Sequence, residues 1–236
     1  MSQINGPRQT PRRHQQYQHD MPKHFCLNIA LVLLLLAAGC KTRPTTATAD
    51  ATAPVVVGSS SVTVSSPSRP AQWARPLSQP GLPNFHQVND VLYRSAQPSA
   101  EGYAAAAKLG IKAVLRLRSA SDKSEGNQWI NAAGLALHDV PMTAWNIGDD
   151  DVIQAMRILR HARRDGPFLV HCLHGADRTG LVCALYRVLF ENWNREDAIA
   201  ELTGGGFGFH PLFANIPHYV RTFDAEKIKA AVLAEP

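Results

Sequence analysis

The stretch Phe168-Leu-Val-His171-Cys172-Leu173-His174-Gly175-Ala176-Asp177-Arg178-Thr179-Gly180 decides how this chain is read. Residues 168–171 have the length and character of a short buried strand, and an apolar helical pattern runs over 179–190. Between them stand a cysteine and, six positions later, an arginine. A loop that passes from a strand end to a helix N-terminus can turn successive backbone N–H groups inward and hold an anion at the positive end of the helix dipole. Gly175 gives the backbone the freedom for that turn. The same field favours a thiolate. Cysteines at helix N-termini or beside cations titrate at ~3.5–7.5 instead of ~8.5, so Cys172 is expected to be ionised at neutral pH. Arg178 offers a planar fork that matches two oxygens of a phosphate, and Thr179 a hydroxyl for the Cys172 sulfur.

Outward from this loop, short β-rich runs alternate with helical ones. Residues 91–94, 111–117 and 135–140 read as strands, and 99–109, about 126–133, 151–163, 194–202 and a segment after 214 read as helices. The alternation predicts one α/β domain over 81–236, with a central, mostly parallel sheet covered by helices on both faces. No internal repeat is visible.

The N-terminal part is of another kind. Up to Arg43 there are six basic residues and one acid, which accounts for the whole net charge of +5, so the basic balance belongs to a leader and a nucleic-acid partner is excluded. Residues 25–38 form an apolar run preceded by Lys23 and closed by Ala37-Ala38-Gly39, the layout of a signal peptide over residues 1–39. The run is too short for a membrane-spanning helix, which needs about 20 apolar residues. A start at Met21 would leave a compact signal. From 40 to 80 the chain is rich in Thr, Ala, Ser and Pro, a composition that buries too little surface to order, so a disordered tether is expected there. Four cysteines, Cys26, Cys40, Cys172 and Cys183, make neither a disulfide framework nor a zinc site, and Cys183 in its apolar helix reads as a buried inert thiol.

Two resemblances sharpen this reading. Ala37-Ala38-Gly39-Cys40 resembles the lipobox of bacterial lipoproteins, although Ala37 stands where leucine is usual. It implies lipidation of Cys40, export, and anchoring to the membrane of the cell envelope. The loop HCLHGADRTG resembles the signature of the protein-tyrosine-phosphatase superfamily, and LYRSAQPS (92–99) and GGFGFHP (205–211) are similar to bacterial dual-specificity-like phosphatases. This second resemblance spans about 84–223. It implies a dual-specificity-phosphatase-like fold and hydrolysis of phosphate monoesters through a phosphocysteine intermediate, without metal or cofactor. Cys172 and Arg178 would be catalytic, and phosphate would be held by Leu173, His174, Gly175, Ala176, Asp177, Arg178 and Thr179. The substrate would be a phosphorylated protein or a phosphorylated inositol or lipid, and the chain a monomer.

For the general acid the sequence offers several carboxylates. Asp177 inside the loop comes first and Asp149 second. Asp139 has the usual spacing from the cysteine but lies in a strand-like run, and Asp149, Asp150 and Asp151 also read as helix N-caps. His171 is expected to brace the loop from below, His174 to face the substrate side, and Trp145 to wall the pocket or pack ordinarily. Arg94 reads equally as a pocket cation and as a surface charge. Two other functions compete: a non-catalytic phosphate-binding module on the same fold, and a rhodanese-type sulfur transferase. Arg178 followed by Thr-Gly favours phosphate over sulfur. A Cys-His hydrolase would need His171 or His174 as a base, a poor geometry within one tight loop.

Overall fold

The computed structural model describes residues 69–118 and 124–234 of the 236-residue chain. The signal peptide, the Met21 start, Cys26, the lipobox at Cys40 and the tether up to residue 68 lie outside the described residues. Among the described residues, no helix is long and apolar enough to cross a membrane.

The described residues form one α/β domain around a six-stranded sheet of order β1-β2-β3-β6-β4-β5. In chain order the elements are β1 (Arg75–Pro76), β2 (His86–Asn89), β3 (Leu92–Ser95), α1 (Ala100–Lys108), β4 (Ala113–Arg116), α2 (Ser124–Ala132), β5 (Ala136–Asp139), α3 (Asp149–Leu159), α4 (Ala162–Asp165), β6 (Phe168–His171), α5 (Asp177–Phe190) and α6 (Arg195–Gly204). A 3-10 turn (Pro211–Phe213), α7 (Asn215–Thr222) and α8 (Ala225–Leu233) complete the domain. β3, β6, β4 and β5 are parallel neighbours, and β1 and β2 extend the sheet as an antiparallel ribbon.

Strand β6 sits in the middle of the sheet with all four residues buried, which is why it reads as a continuous apolar run. Its side chains alternate between the two faces. Phe168 and Val170 join the larger core, with Leu115 of β4 and with Leu181, Leu185 and Met156 from α5 and α3. Leu169 turns to the smaller core, where Tyr103 and Ala106 of α1 and Ile130 of α2 cover the opposite face. Cys172 therefore follows the carboxyl end of the central strand, where open α/β sheets bind their ligands.

Four expectations change. The folded domain starts before residue 81. Ala74 is buried, its N–H bonds Glu201 Oε1, and Arg69 binds the carbonyls of Ala74 and Gly205. Residues 69–80, with three prolines, make no core of their own, yet they order by pairing backbone with a sheet edge and with partners far along the chain. Strands β1 and β2 were not foreseen, because two and four residues at a sheet edge carry little alternation. The helical run over 151–163 divides into α3 and α4. The helix after 214 is two helices, α7 and α8, with Phe223 in extended backbone between them.

Candidate active site

The loop from Cys172 to Arg178 rests on the end of β3. Gly175 has φ +69, and a Cβ there would stand 2.4 Å from the Ser95 carbonyl oxygen and 2.5 Å from the Ala96 nitrogen. Only glycine permits both the conformation and the approach. Four consecutive carbonyls of the loop are then tied outward to the scaffold. Cys172 O is 3.1 Å from His171 Nδ1, Leu173 O accepts from Gln97 N at 3.0 Å, His174 O accepts from Asn84 Nδ2 at 3.0 Å, and Gly175 O accepts from Arg94 Nη2 at 2.8 Å. Among the described residues, the N–H groups of Leu173 to Ala176 donate to no protein acceptor. With the carbonyls held on one side, these amides line the other, where α5 begins at Asp177 with no side-chain cap on its first turn. That is an anion cradle built from backbone.

The support beneath it is buried and polar. His171 is fully buried and its Nε2 lies 2.9 Å from Tyr103 Oη, which accepts from Gln97 Nε2 at 2.9 Å. With that lone pair of Tyr103 occupied, its hydroxyl proton is free for His171 Nε2, so the ring carries its hydrogen on Nδ1 and donates to Cys172 O. Burial pushes the His171 pKa down to about 4, against the bond to Cys172 O, which raises it, and the nearby Arg116 and Arg118 lower it further. The brace expected from the sequence is present, and burial keeps its ring neutral. Arg94 is neither a pocket cation facing substrate nor a surface charge. It is 1% exposed, packs its guanidinium 3.5 Å from the centroid of the Phe207 ring, and holds the loop from below.

Cys172 is buried at 2%, while Leu173 and His174 are exposed. Arg178 is half-buried, and its Nη1 donates long bonds to the carbonyls of Leu117 (3.3 Å) and Met142 (3.4 Å), which hold it between the end of β4 and the 141–148 loop. The Thr179 hydroxyl is buried without a hydrogen-bond partner, so the expected bond to the Cys172 sulfur is not formed in this structure. Cys183 is the inert thiol foreseen: it is buried, which pushes its pKa up to about 11.

The acidic candidates separate clearly. Asp139 pairs with Arg116 across adjacent strands, with two contacts of 2.6 Å, and is structural. Asp149 accepts from Tyr219 Oη and from Lys227 Nζ, both at 2.8 Å, and these two bonds hold its pKa below the usual carboxylate value. It fastens α3 to α7 and α8, and an ionised carboxylate with both oxygens engaged there is no proton donor for a leaving group. Nor do Asp149, Asp150 and Asp151 cap α3: its N-cap is Gly148, and they fill the first turn, where negative charge suits the helix dipole. Asp177 is buried, and its carboxylate accepts from His210 N at 2.9 Å and faces His210 Nδ1 at 2.8 Å. Sequence reasoning did not single out His210, although it lies in the GGFGFHP segment that carried part of the resemblance. That segment grips the loop three times: through His210 on Asp177, Phe207 on Arg94, and the Phe207 carbonyl, which shares Asn84 Nδ2 with His174 O.

The rim is aromatic. Trp145, 65% exposed, meets Phe213 edge to face at 4.7 Å, and Asn215 Nδ2 pins the Trp145 loop through Ala144 O at 2.8 Å. His174 and His210 stand opposite each other at 5.4 Å between ring centroids.

A family model described as the tyrosine phosphatase family matches residues 81–229. This chain belongs to the tyrosine phosphatase family. It is 33% identical over 166 residues to the dual specificity protein phosphatase TpbA of Pseudomonas aeruginosa, covering 70% of this chain and 73% of that protein. The crystal structure of P. aeruginosa TpbA in complex with pTyr superposes with a TM-score of 0.62 at 32% identity, covering 70% of this chain and 98% of that one. The core catalytic domain of the PP-IP phosphatase SIW14 from S. cerevisiae, in complex with citrate, gives a TM-score of 0.57 at 27% identity, covering 65% and 93%. The chain is thus a phosphatase on a dual-specificity-like fold, and the cradle sits in the part that the family shares.

Proposed function

We propose that this phosphatase hydrolyses phosphate monoesters of the phosphotyrosine type through Cys172. The observation that carries the reading is the set of four outward-tied carbonyls, which leaves the amides of residues 173–176 and the α5 N-terminus for three phosphate oxygens. The Cys172 thiolate attacks phosphorus at the floor of the cradle, the P–O bond to the substrate breaks, and the leaving oxygen takes a proton. Water then attacks the phosphocysteine, the P–S bond breaks, and inorganic phosphate leaves. Arg178 spans two equatorial oxygens, an interaction that strengthens in the transition state. The buried Thr179 hydroxyl, unpaired in the free protein, is positioned in sequence to meet the sulfur as it becomes a leaving group.

Asp177, joined to His210, is the proposed source of the proton. The Trp145–Phe213 wall and the two histidines give the mouth ring faces for an aryl group, and TpbA supports the same reading because its structure is in complex with pTyr. Residues 1–39 are proposed as a lipoprotein signal and Cys40 as a lipidated N-terminus, so that a monomeric catalytic domain acts at the surface of the cell-envelope membrane. The apolar run and Ala-Ala-Gly-Cys40 support this.

The test is a substrate panel on the full chain with Cys172→Ser alongside. Wild type is expected to release phosphate from phosphotyrosine peptides faster than from phosphoserine peptides or inositol polyphosphates. The serine variant should lose turnover by about 10³-fold or more while still binding inorganic phosphate, because the cradle and Arg178 remain. A serine variant with substantial activity would refute the nucleophile, and a preference for inositol polyphosphates would refute the substrate.

A further inference from the structure

We propose that His174, Asp177 and His210 form a binding site for a divalent transition-metal ion, Zn2+ by its ligand set, on the outer lip of the phosphate loop, and that the bound ion inhibits hydrolysis. The three residues come from the loop, from the first turn of α5 and from the segment before the 3-10 turn, and each offers one ligand atom within 4.8 Å of the others. Both histidines reach solvent, His210 with 48% of its side chain exposed, while the Asp177 side chain is 8% exposed. An ion therefore has an open approach from the imidazole side and meets a carboxylate that is already fixed.

The fixing is specific. Asp177 Oδ1 accepts from the backbone N–H of His210 at 2.9 Å, which orients the carboxylate while Oδ2 and His210 Nδ1 face each other at 2.8 Å. Outer bonds of this kind orient ligands at metal sites. Zn2+ binding at Nδ1 would displace the hydrogen held between Oδ2 and Nδ1, the ring taking one up on Nε2 by exchange with solvent so that it binds as neutral imidazole, and form bonds of ~2.0–2.2 Å to oxygen and nitrogen. The pair must open by about half an ångström for a tetrahedral ion, a movement available to a half-exposed ring. Two imidazoles and one carboxylate leave a fourth position for water, and imidazole-rich sets select zinc-like ions over calcium and magnesium. Inhibition rests on the hydrolase reading above: the ion occupies the carboxylate proposed to supply the proton and pins the 205–211 segment to the loop. Binding itself does not depend on that reading.

The experiment separates the two. In full-length Cys172→Ser, where the loop thiolate cannot take the metal, Zn2+ is titrated by calorimetry and Co2+ by its visible spectrum. The leader and its end carry His14, His19, His24, Cys26 and Cys40, so the parent is compared with His174→Ala and His210→Gln in the same background. The glutamine keeps a donor for Asp177, and thermal melting of each variant reports folding. Each variant should lose one equivalent of bound metal or bind it at least tenfold more weakly, with loss of tetrahedral Co2+ bands of nitrogen and oxygen ligation. Variants that bind as the parent does overturn the site. In the wild-type chain Zn2+ should suppress turnover and a chelator restore it, an effect weakened in His174→Ala. Metal bound at this site without suppression overturns the inhibitory role. A wild-type chain that turns over nothing refutes the hydrolase reading alone.

Discussion

At the scale of single residues, the site is governed by two groups whose partners are settled by burial. His171 must stay neutral for its Nε2 to accept from Tyr103 Oη while its Nδ1 donates to Cys172 O. Unfolded histidine takes up a proton near pH 6.5, whereas His171 in the fold does so only near 4. Between those values the unfolded chain binds more protons, so stability is full above pH 6.5 and falls as pH drops toward 4, by at most about 3 kcal/mol. Denaturant midpoints across that range should show the decline, and His171→Asn should flatten it. An unchanged slope in the variant would place the titration elsewhere. Asp177 is the second group. An acid matters most when the leaving oxygen is basic, so Asp177→Asn should slow an alkyl phosphate at least tenfold more than a nitrophenyl phosphate. Equal losses on both would mean that Asp177 only positions Arg178 and His210.

At the scale of elements, the loop works because it lies on β3. Gly175→Ala would drive a methyl group into Ser95 O and Ala96 N at a φ of +69, which no small side-chain movement relieves because both atoms are backbone. The loop must lift, and the bonds from Gln97 N and Arg94 Nη2 lengthen with it. We expect inorganic phosphate binding to weaken by more than tenfold and turnover to fall with it, while the far sheet edge at β4 and β5 keeps its fold. Tight phosphate binding by this variant would show that the cradle does not depend on the β3 contact.

At the scale of the whole molecule, residues 69–76 act as a strap across α5 and α6. Ala74 N bonds Glu201, Gln72 O accepts from Arg187 Nη2 at 3.2 Å, and Glu201 pairs with Arg187 at 2.9 Å, all buried or nearly so. A chain that begins at residue 81 keeps the ion pair but strips its backbone partners and exposes the edge of β2. It should be less stable than one that begins at residue 69 by about 2–3 kcal/mol, the scale of two or three lost buried hydrogen bonds. Urea denaturation of the two chains measures this, and equal stabilities would make the strap incidental.

Cys172, Gly175 and Arg178 were legible from the sequence because their chemistry is contiguous: a strand, a turn and a helix N-terminus follow one another within thirteen residues, and local backbone geometry does the rest. The same locality made the central strand β6 and the helices readable, since each shows its own period. The sequence by itself therefore determined the α/β class, the cradle and the thiol. Only the tertiary structure decided which charges serve it. It joined Asp177 to His210, 33 residues away, gave Asp149 to Tyr219 and Lys227, and placed Arg94 under Gly175, 81 residues further on. Those pairings cross the sheet or join separate helices, and no periodicity records them: a carboxylate or a guanidinium looks the same in sequence whether burial gives it a partner or leaves it in water.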